Sequence, residues 1–373
     1  MRLLWLFLIF APSSATLAQV NNSAILTQAR SAGEACVGFA CWTVFTDYEV
    51  DPDEVDADLT DFPIRFALTG LGVDFWDNVA ANGADIRVVN TSEDTQYPHC
   101  IAYFVDNGST GVGEVYAEVD LTNAGTDAFR ILVGNGSATD DQDCPDSWSA
   151  WLAVYHLNED VNTSTDGYAD QTGSFPLTGV SMALTAGTAA PTDGQEAVFD
   201  GGADYLARPG DDDALDITGD LCIWSVVYHD NSAGGDAIAA KDSPWTILVS
   251  GIDEARITHT GTGGGDALNT ASGVVTLDTW LSLGFTRTAV GTTREIWVNG
   301  VTSVGPTSYT QTPLANTTAV DVSNIAASNA WWEGSIDEVW IRGTPCTDAE
   351  MAALHSNTFT HGTFFSSITT TTR

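Results

Sequence analysis

Carboxylates are the most numerous residues of this sequence that could do chemistry, and their spacing along a strand decides what they can catalyse. Retaining glycoside hydrolysis needs two carboxyl groups about 5 Å apart, and residues two apart on a strand face the same side. The acids near strand-like runs are Glu333, Asp337 and Glu338, or Asp253 and Glu254. Adjacent acids point to opposite faces, and Glu333 precedes its strand. We therefore expect no glycoside hydrolase centre and no enzyme.

Other catalytic signatures are missing from the sequence as well. It contains no HExxH zinc motif, no GxSxG nucleophile elbow and no phosphate-binding glycine loop before a helix. The glycine-rich stretch at 261–265 lies between strand-like runs, which favours a hairpin loop. His156 stands between Tyr155 and Leu157 in an apolar run, so a core or rim histidine is favoured over a catalytic base.

Tryptophan side chains are the candidates for carbohydrate binding. Trp331 and Trp332 alternate across a strand, so one indole faces inward and the other outward. An outward indole, together with Trp245 or Tyr228, would offer a flat face for a sugar ring. The plainer alternative is an aromatic side chain that covers a loop or a subunit contact.

The six cysteines form the next candidate set. An even number behind an apolar N-terminal segment is typical of disulfides, and zinc ligation is disfavoured because no C-x-x-C pair occurs. Cys222 opens a strand-like run and Cys346 follows the run 336–341, so antiparallel pairing of the two runs predicts a Cys222–Cys346 disulfide. The connectivity of the other four stays open at this point: Cys36, Cys41, Cys100 and Cys144.

Residues 1–18 have the features of a secretory signal peptide. Arg2 precedes an apolar run from Leu3 to Ala11, and small residues lead to a cleavage site before Gln19. A membrane anchor is the alternative, but spanning a bilayer takes about 20 apolar residues. We expect a secreted protein, extracellular or at the cell surface, without membrane insertion.

Charge excludes further partners. Fifty acidic residues face twelve basic ones, among which Lys241 is the single lysine, and the net charge is −38. Such a surface repels phosphate backbones, so no nucleic-acid partner is expected.

Six N-x-[ST] sequons are candidate glycosylation sites in a host that glycosylates asparagine: Asn21, Asn90, Asn107, Asn135, Asn162 and Asn316.

Short alternating runs separated by Gly, Asn and Asp predict an all-β chain of two β-sandwich domains. The turn-rich, acidic stretch 134–149 separates them. The one helix with good signals is Thr347 to Leu354, with Thr347 as its N-cap. The segments expected are a signal (1–18), an N-terminal extension (19–41), a first sandwich (42–140), a second sandwich (150–357) and a Thr-rich tail (358–373).

The second half carries an ordered series of short motifs. They are VYHLNE from 154, ADQTG from 169, AVFDG from 197, LCIWSVV from 221, WVNG from 297 and WEGSIDEVWI from 332. The series resembles the laminin-G-like, concanavalin A-like jelly-roll family over about residues 150–360. That resemblance implies a concanavalin A-like jelly roll, and it places Asp200 and Asp337 close together as ligands of a structural Ca²⁺. The alternative is that Asp200 caps a turn and Asp337 solvates a strand edge.

The first half resembles the small β domain of unassigned function that often precedes such a jelly roll in secreted proteins. The matching pieces are Trp42, LTDFPI from 59, NGADIRV from 82 and ILVGN from 131. The chain departs from that family at Val115 to Glu118, where a Trp-Val pair is usual.

These observations favour a non-enzymatic structural or adhesive protein, a subunit of an extracellular fibre, filament or surface assembly. The alternative is a calcium-dependent, lectin-like glycan-binding protein, and a glycoside hydrolase ranks third. For self-assembly the candidate is the segment 19–35, whose apolar centre is Ala24, Ile25 and Leu26. It would add as a strand to a neighbouring subunit, and the alternatives are a disordered terminus or a strand of its own domain.

Overall fold

Alternation of buried and half-exposed residues forms the first strand, β1 (Val44–Val50), in which Val44, Tyr48 and Val50 point into the core. The same pattern recurs along the computed structural model. The model describes residues 38–123, 125–160, 164–182, 189–211, 213–230, 234–289, 291–325 and 330–373. Strands far outnumber helices among these residues, and every strand pair is antiparallel, which confirms the all-β class expected from the sequence.

The first sandwich packs a five-stranded sheet on a three-stranded one. The sheet orders are β22-β1-β7-β3-β4 and β2-β6-β5. The further strands are β2 (Leu59–Ala67), β3 (Arg87–Asn90), β4 (Gln96–Tyr97), β5 (His99–Asp106), β6 (Gly111–Leu121), β7 (Ala128–Val133) and β22 (Phe365–Thr372), with the short helix α1 (Val73–Trp76).

The second sandwich consists of two seven-stranded sheets with an apolar core between them. One sheet has the order β10-β21-β12-β17-β18-β19, with β8 also on β21, and the other has the order β16-β15-β14-β13-β20-β11-β9. The strands in the first half are β8 (Ala153–Tyr155), β9 (Thr178–Val180), β10 (Ala197–Asp200), β11 (Tyr205–Ala207), β12 (Leu221–His229), β13 (Asp236–Ala240) and β14 (Thr246–Val249). The others are β15 (Ala255–Gly261), β16 (Gly264–Asn269), β17 (Trp280–Thr288), β18 (Thr293–Val298), β19 (Val301–Ser308), β20 (Asp321–Val322) and β21 (Glu333–Arg342).

A cluster of indoles joins the two sandwiches. Trp340 on β21 contacts Trp148 and Trp151, with ring centroids 4.9 and 5.4 Å apart. Trp148 is fully buried and follows the short helix α2 (Cys144–Ser147) in the stretch that reads as a turn-rich linker. Residues 41–373 therefore form one unit with a core that continues from one sandwich into the other.

The Thr-rich tail has a defined structure. Helix α3 (Asp348–Phe359) begins at the expected N-cap Thr347, whose side chain accepts from the Glu350 N–H, but it runs five residues beyond Leu354. A short helix α4 (His361–Phe364) leads into β22, which pairs with β1 along its whole length. β-Branched threonines suit a strand, so the end of the chain completes the sheet of the first sandwich. Among the described residues, no helix is long and apolar enough to cross a membrane.

Candidate functional site

Strand register places seven small or polar residues side by side across one sheet of the second sandwich. Successive cross-strand pairs join all of them. This central row consists of Thr178, Ala207, Asp321, Ala240, Thr246, Thr258 and Ala267. The row therefore carries no bulky side chain from one edge of the sheet to the other.

The central row faces away from the core. Its chain neighbours, among them Leu206, Val322 and Ile247, lie in the core between the sheets, and successive residues of a strand point to opposite faces. The middle of the row is recessed, since Ala240 is 3% and Thr246 is 4% exposed. Both ends reach the surface, where Thr178 is half-buried and Ala267 is exposed. The row is thus buried at its centre and reaches the surface at both ends, and we call the face that carries it the groove.

One carboxyl group lies at the centre of the groove. Asp321 is 6% exposed between Ala207 and Ala240. Burial, and to a lesser extent the nearby charge of Asp242, raise the pKa of Asp321 to about 6, although a hydrogen bond from Asn324 acts in the opposite direction. Close to neutrality this group both accepts hydrogen bonds and, in its protonated fraction, donates one.

An amide oxygen next to this carboxyl group has no hydrogen-bond donor. The Asn324 amide nitrogen donates to Asp321 over 3.1 Å, while Oδ1 of the same side chain is buried without a partner. Asn324 is 6% exposed, and a buried acceptor without a donor costs about 1–3 kcal/mol. A hydroxyl group reaching the centre of the groove would remove that cost.

An aromatic side chain flanks the groove. Tyr205 precedes Ala207 by two residues on β11, so it lies on the same face and one diagonal step from Asp321. The ring is half-buried. It can therefore cover one face of a ligand that extends along the central row.

Two of the three tryptophans expected to stack on sugars lie elsewhere. Trp245 and Trp332 are fully buried in the core of the second sandwich. Trp245 donates to the Leu215 carbonyl, and Trp332 packs against His229 at 4.6 Å between ring centroids. Each stands one residue before a strand, Trp245 before β14 and Trp332 before β21. Neither indole can present a face to a ligand, because both are enclosed in the core. Trp331 is half-buried, and its role stays a prediction.

The two aspartates expected to share a Ca²⁺ do not fit one ion. Asp200 is exposed and pairs with Glu333 across β10 and β21, four residues along the strand from Asp337. Asp337 is buried and accepts from the Thr192 hydroxyl over 2.6 Å. Its pKa is raised well above the usual range by burial and by the neighbouring Glu338.

Another group of carboxylates, Asp211, Asp213 and Asp216, lies close enough together to surround a cation. The ammonium group of Lys241 already reaches it, 2.5 Å from Asp211 and 3.3 Å from Asp216. The lysine side chain is completely buried and also donates to the Thr318 carbonyl. The single lysine of the chain thus supplies positive charge where a divalent ion would otherwise be needed.

The histidine and acid pair that could suggest catalysis is enclosed in the protein. His156 Nδ1 lies 2.8 Å from Glu338 Oε1, close to Arg65, which is paired with Glu114 over 2.6 Å. None of these four residues is more than 2% exposed. Burial lowers the pKa of His156 to about 4 and, with the charge of Glu114, raises that of Glu338 well above its usual range. The pair lies where the two sandwiches meet, since the Tyr116 ring on β6 stacks on the His156 ring with 4.9 Å between the centroids, and it is closed off from solvent.

Disulfides close two long loops. Cys222 and Cys346, the pair expected from the strand ends, are joined with their Cα atoms 5.5 Å apart. The sequence left the pairing of the four cysteines in the first half undecided, and the structure shows that Cys100 is bonded to Cys144. Cys36 lies outside the described residues.

The asparagines of the N-x-[ST] sequons differ in their exposure to solvent. Asn107 is exposed in a turn, whereas Asn90 and Asn316 are half-buried and use their amide nitrogens, which donate to Asp94 and to the Lys241 carbonyl. Asn135 is half-buried, and its side-chain oxygen accepts from the Ser137 N–H. Asn21 and Asn162 lie outside the described residues.

Sequence reasoning missed Asp321, Asn324 and Tyr205. Asp321 opens a two-residue strand that is too short to carry a periodic signal, and Asn324 follows that strand. Tyr205 has the sequence context of an ordinary strand aromatic. The only available signal was the density of Ala and Thr at alternate positions of neighbouring strands, which becomes a row only when the register is known.

No family model matches the sequence, and no curated protein is similar to it. Among solved structures, the CBM40 of the Ruminococcus gnavus IT-sialidase, bound to α2,3-sialyllactose, is 9% identical, and the match covers 45% of this chain and 100% of that chain at a TM-score of 0.36. The binding domain of botulinum neurotoxin serotype G is 12% identical over 55% of this chain and 50% of its own, with a TM-score of 0.40. A Trypanosoma rangeli sialidase is 9% identical over 69% of this chain and 44% of its own, with a TM-score of 0.42. The chain thus spans about half the length of the toxin domain. At identities and TM-scores this low, the likenesses carry no argument about what this chain binds.

Proposed function

We propose that this chain is a secreted glycan-binding protein of the lectin type, with its ligand lying along the central row. The observation that carries the proposal is the buried, donor-free Oδ1 of Asn324 beside Asp321 in the middle of the groove. The laminin-G-like assignment of residues 150–357, the small β domain before it and the extracellular location belong to the same proposal. The Cys100–Cys144 and Cys222–Cys346 disulfides support that location.

Sugars suit the chemistry of the groove. A pyranose ring offers hydroxyl groups that donate to carboxylate and amide oxygens, and an apolar face that packs on an aromatic ring. Asp321 and Asn324 supply the acceptors, and Tyr205 supplies the ring. The small side chains of Ala207, Ala240 and Thr246 leave room for the ligand backbone. An extended oligosaccharide therefore fits the groove better than a compact apolar ligand.

The proposal departs from the sequence expectation on two points. Glycan binding ranks above a structural or filament role, because the groove presents a specific set of polar groups. Calcium is not required by the proposal, because Lys241 occupies the centre of the acidic cluster and Asp200 lies apart from Asp337. Absence of enzymatic activity stays a prediction.

A glycan array with the secreted chain, residues 19–373, tests the proposal. Hits are then measured by calorimetry with Asp321→Ala, Asn324→Ala and Ala240→Leu, the last of which fills the groove. We expect each variant to weaken binding at least tenfold, a loss of about 1.4 kcal/mol or more. The matched controls are Asp74→Ala and Ala289→Leu, both at exposed positions far from the central row.

Three outcomes decide the matter. If no glycan binds, or if the groove variants bind as tightly as the controls, the proposal fails. If glycans bind and are cleaved, the protein is a hydrolase and the predicted absence of activity is wrong. Each variant is compared with the wild type by its melting temperature, so that loss of fold is not read as loss of binding.

A further inference from the structure

The edge strand of the first sandwich has an open side. Among the described residues, β22 is hydrogen-bonded to β1 on one side and to no strand on the other. The Arg373 N–H donates to the Thr43 carbonyl, and hydrogen-bonded pairs alternate along an antiparallel ladder. The backbone groups of Ile368 and Thr370 therefore point outward, where they are free to pair with a further strand.

A cavity lies beside this edge. It has a volume of about 310 Å³, and residues of both sheets line it, among them Ala67 at the end of β2 and Ile368 and Thr370 on β22. The loop Thr69–Gly72 and His361 complete the wall. The side chains of Ile368 and Thr370 therefore face the mouth between the two sheets, while their backbone groups face the open edge.

The edge and its cavity are free of formal charge. Residues 365–372 contain no ionisable side chain, and no acid or base besides His361 lines the cavity. Burial and the charge of Arg65 hold the pKa of His361 at about 3, so its imidazole is neutral. Ile368 is 40% exposed, and nearby Val73 is 49% exposed. In a chain of net charge −38, an uncharged, partly apolar edge is unusual and lacks the charges that normally protect a strand edge.

We propose that residues 23–29 of a second copy of this chain add to β22 as a further strand, with the Ile25 side chain in the cavity. That segment, SAILTQA, carries no charge and has an apolar centre, which matches the uncharged edge. Strand addition of this kind takes affinity from main-chain hydrogen bonds and specificity from pockets for alternate side chains.

The chain offers enough length to reach a neighbour. Fourteen residues, Arg30 to Thr43, separate the segment from β1, and an extended chain spans about 3.4 Å per residue, so the reach is at most about 48 Å. A contact from the N-terminal segment of one molecule to the edge strand of the next is heterologous. Its repetition produces a filament where the rotation between neighbours does not close a ring.

The proposal is tested by measuring the size of the secreted chain, residues 19–373, in solution by size exclusion with light scattering, and by electron microscopy. We expect the wild type to form multimers. In both Ile25→Asp and Ile368→Lys, the protein concentration at which half of the chains are assembled should rise at least tenfold. Thr369→Lys is the matched control, since it adds the same charge to the same strand on the opposite, exposed face. It should assemble like the wild type.

A peptide of residues 20–30 provides a second measurement that depends on no variant. Added in excess, it should dissolve wild-type multimers and bind monomeric Ile25→Asp in fluorescence anisotropy, whereas a scrambled peptide should do neither. A wild type that stays monomeric at millimolar concentration overturns the proposal, even if the peptide binds. Multimers that survive Ile368→Lys or the peptide overturn it as well. Glycan binding by Ile368→Lys should equal that of the wild type, which separates this proposal from the proposed function.

Discussion

His156 Nδ1 lies 2.8 and 2.9 Å from the two carboxyl oxygens of Glu338, and this contact joins β8, the first strand of the second sandwich, to β21. The Trp340 indole also donates to Glu338 over 2.6 Å. Burial lowers the pKa of His156 to about 4 and raises that of Glu338 well above its usual range, so burial opposes charge on both partners.

The first prediction concerns alkaline pH. Asp337 and Glu338 have pKa values raised well above normal in the folded state, so the folded protein holds protons that the unfolded chain releases near pH 4. The free energy of unfolding should therefore fall as pH rises, by about 1.4 kcal/mol per pH unit for each retained proton. Denaturant titrations from pH 5 into the alkaline range would measure it.

Glu338→Gln should flatten this dependence, because an amide keeps the hydrogen bond to His156 and has no proton to lose. The exposed Asp74→Asn serves as the control and should retain the wild-type slope. Equal slopes in the two variants would show that Glu338 is ionised in the folded protein.

The second prediction concerns the buried lysine. Lys241→Met leaves the exposed Asp211 and the half-buried Asp216 without their cation, and losing a hydrogen bond to a charged group costs about 1.5–3 kcal/mol. Millimolar Ca²⁺ should recover much of the lost melting temperature in this variant and leave the wild type unchanged, since carboxylate oxygens suit that ion. Arg256→Met, which removes a half-exposed cation 3.8 Å from Glu254, should cost under about 1 kcal/mol. A wild type stabilised as strongly as the variant would show that calcium binds beside the lysine.

The third prediction ranks the two described disulfides. The Cys222–Cys346 bond closes a sequence separation of 124 residues and Cys100–Cys144 one of 44. In the chain-entropy account these loops are worth about 5 and about 4 kcal/mol. Replacing Cys222 and Cys346 together by Ala should thus lower stability more than the same change at Cys100 and Cys144. The reverse order in denaturant unfolding would indicate that native packing around the bonds outweighs loop length.

The fourth prediction concerns the C-terminal strand. Phe365 is 2% exposed at the start of β22, while Ile368 on the same strand is 40% exposed. Phe365→Ala should destabilise the protein by about 3–5 kcal/mol, and Ile368→Ala by under about 1 kcal/mol. Deleting residues 361–373 should expose the edge of β1 and prevent recovery of folded protein. A stable truncated protein would show that the tail is dispensable for the first sandwich.

The sequence alone was sufficient for features that depend on neighbouring residues. Alternation of apolar residues indicated the strands, a Thr with acids after it indicated the start of α3, and the positions of Cys222 and Cys346 at strand ends indicated their bond. The strand and helix signals each span a few residues. The disulfide prediction needs only the assumption that the two strands pair antiparallel. Local backbone preferences and period-two burial act at that range.

Only the tertiary structure decided the position of the tail, the burial of Trp245 and Trp332, and the central row around Asp321. Each depends on which strands pair and in which register, over separations such as the 324 residues between Thr46 and Thr370. A shift of one residue in register moves every side chain of a strand to the other face. The face that Asp321 occupies, and its place between two alanines, are therefore properties of the assembled sheet, because no local pattern distinguishes one register from the next.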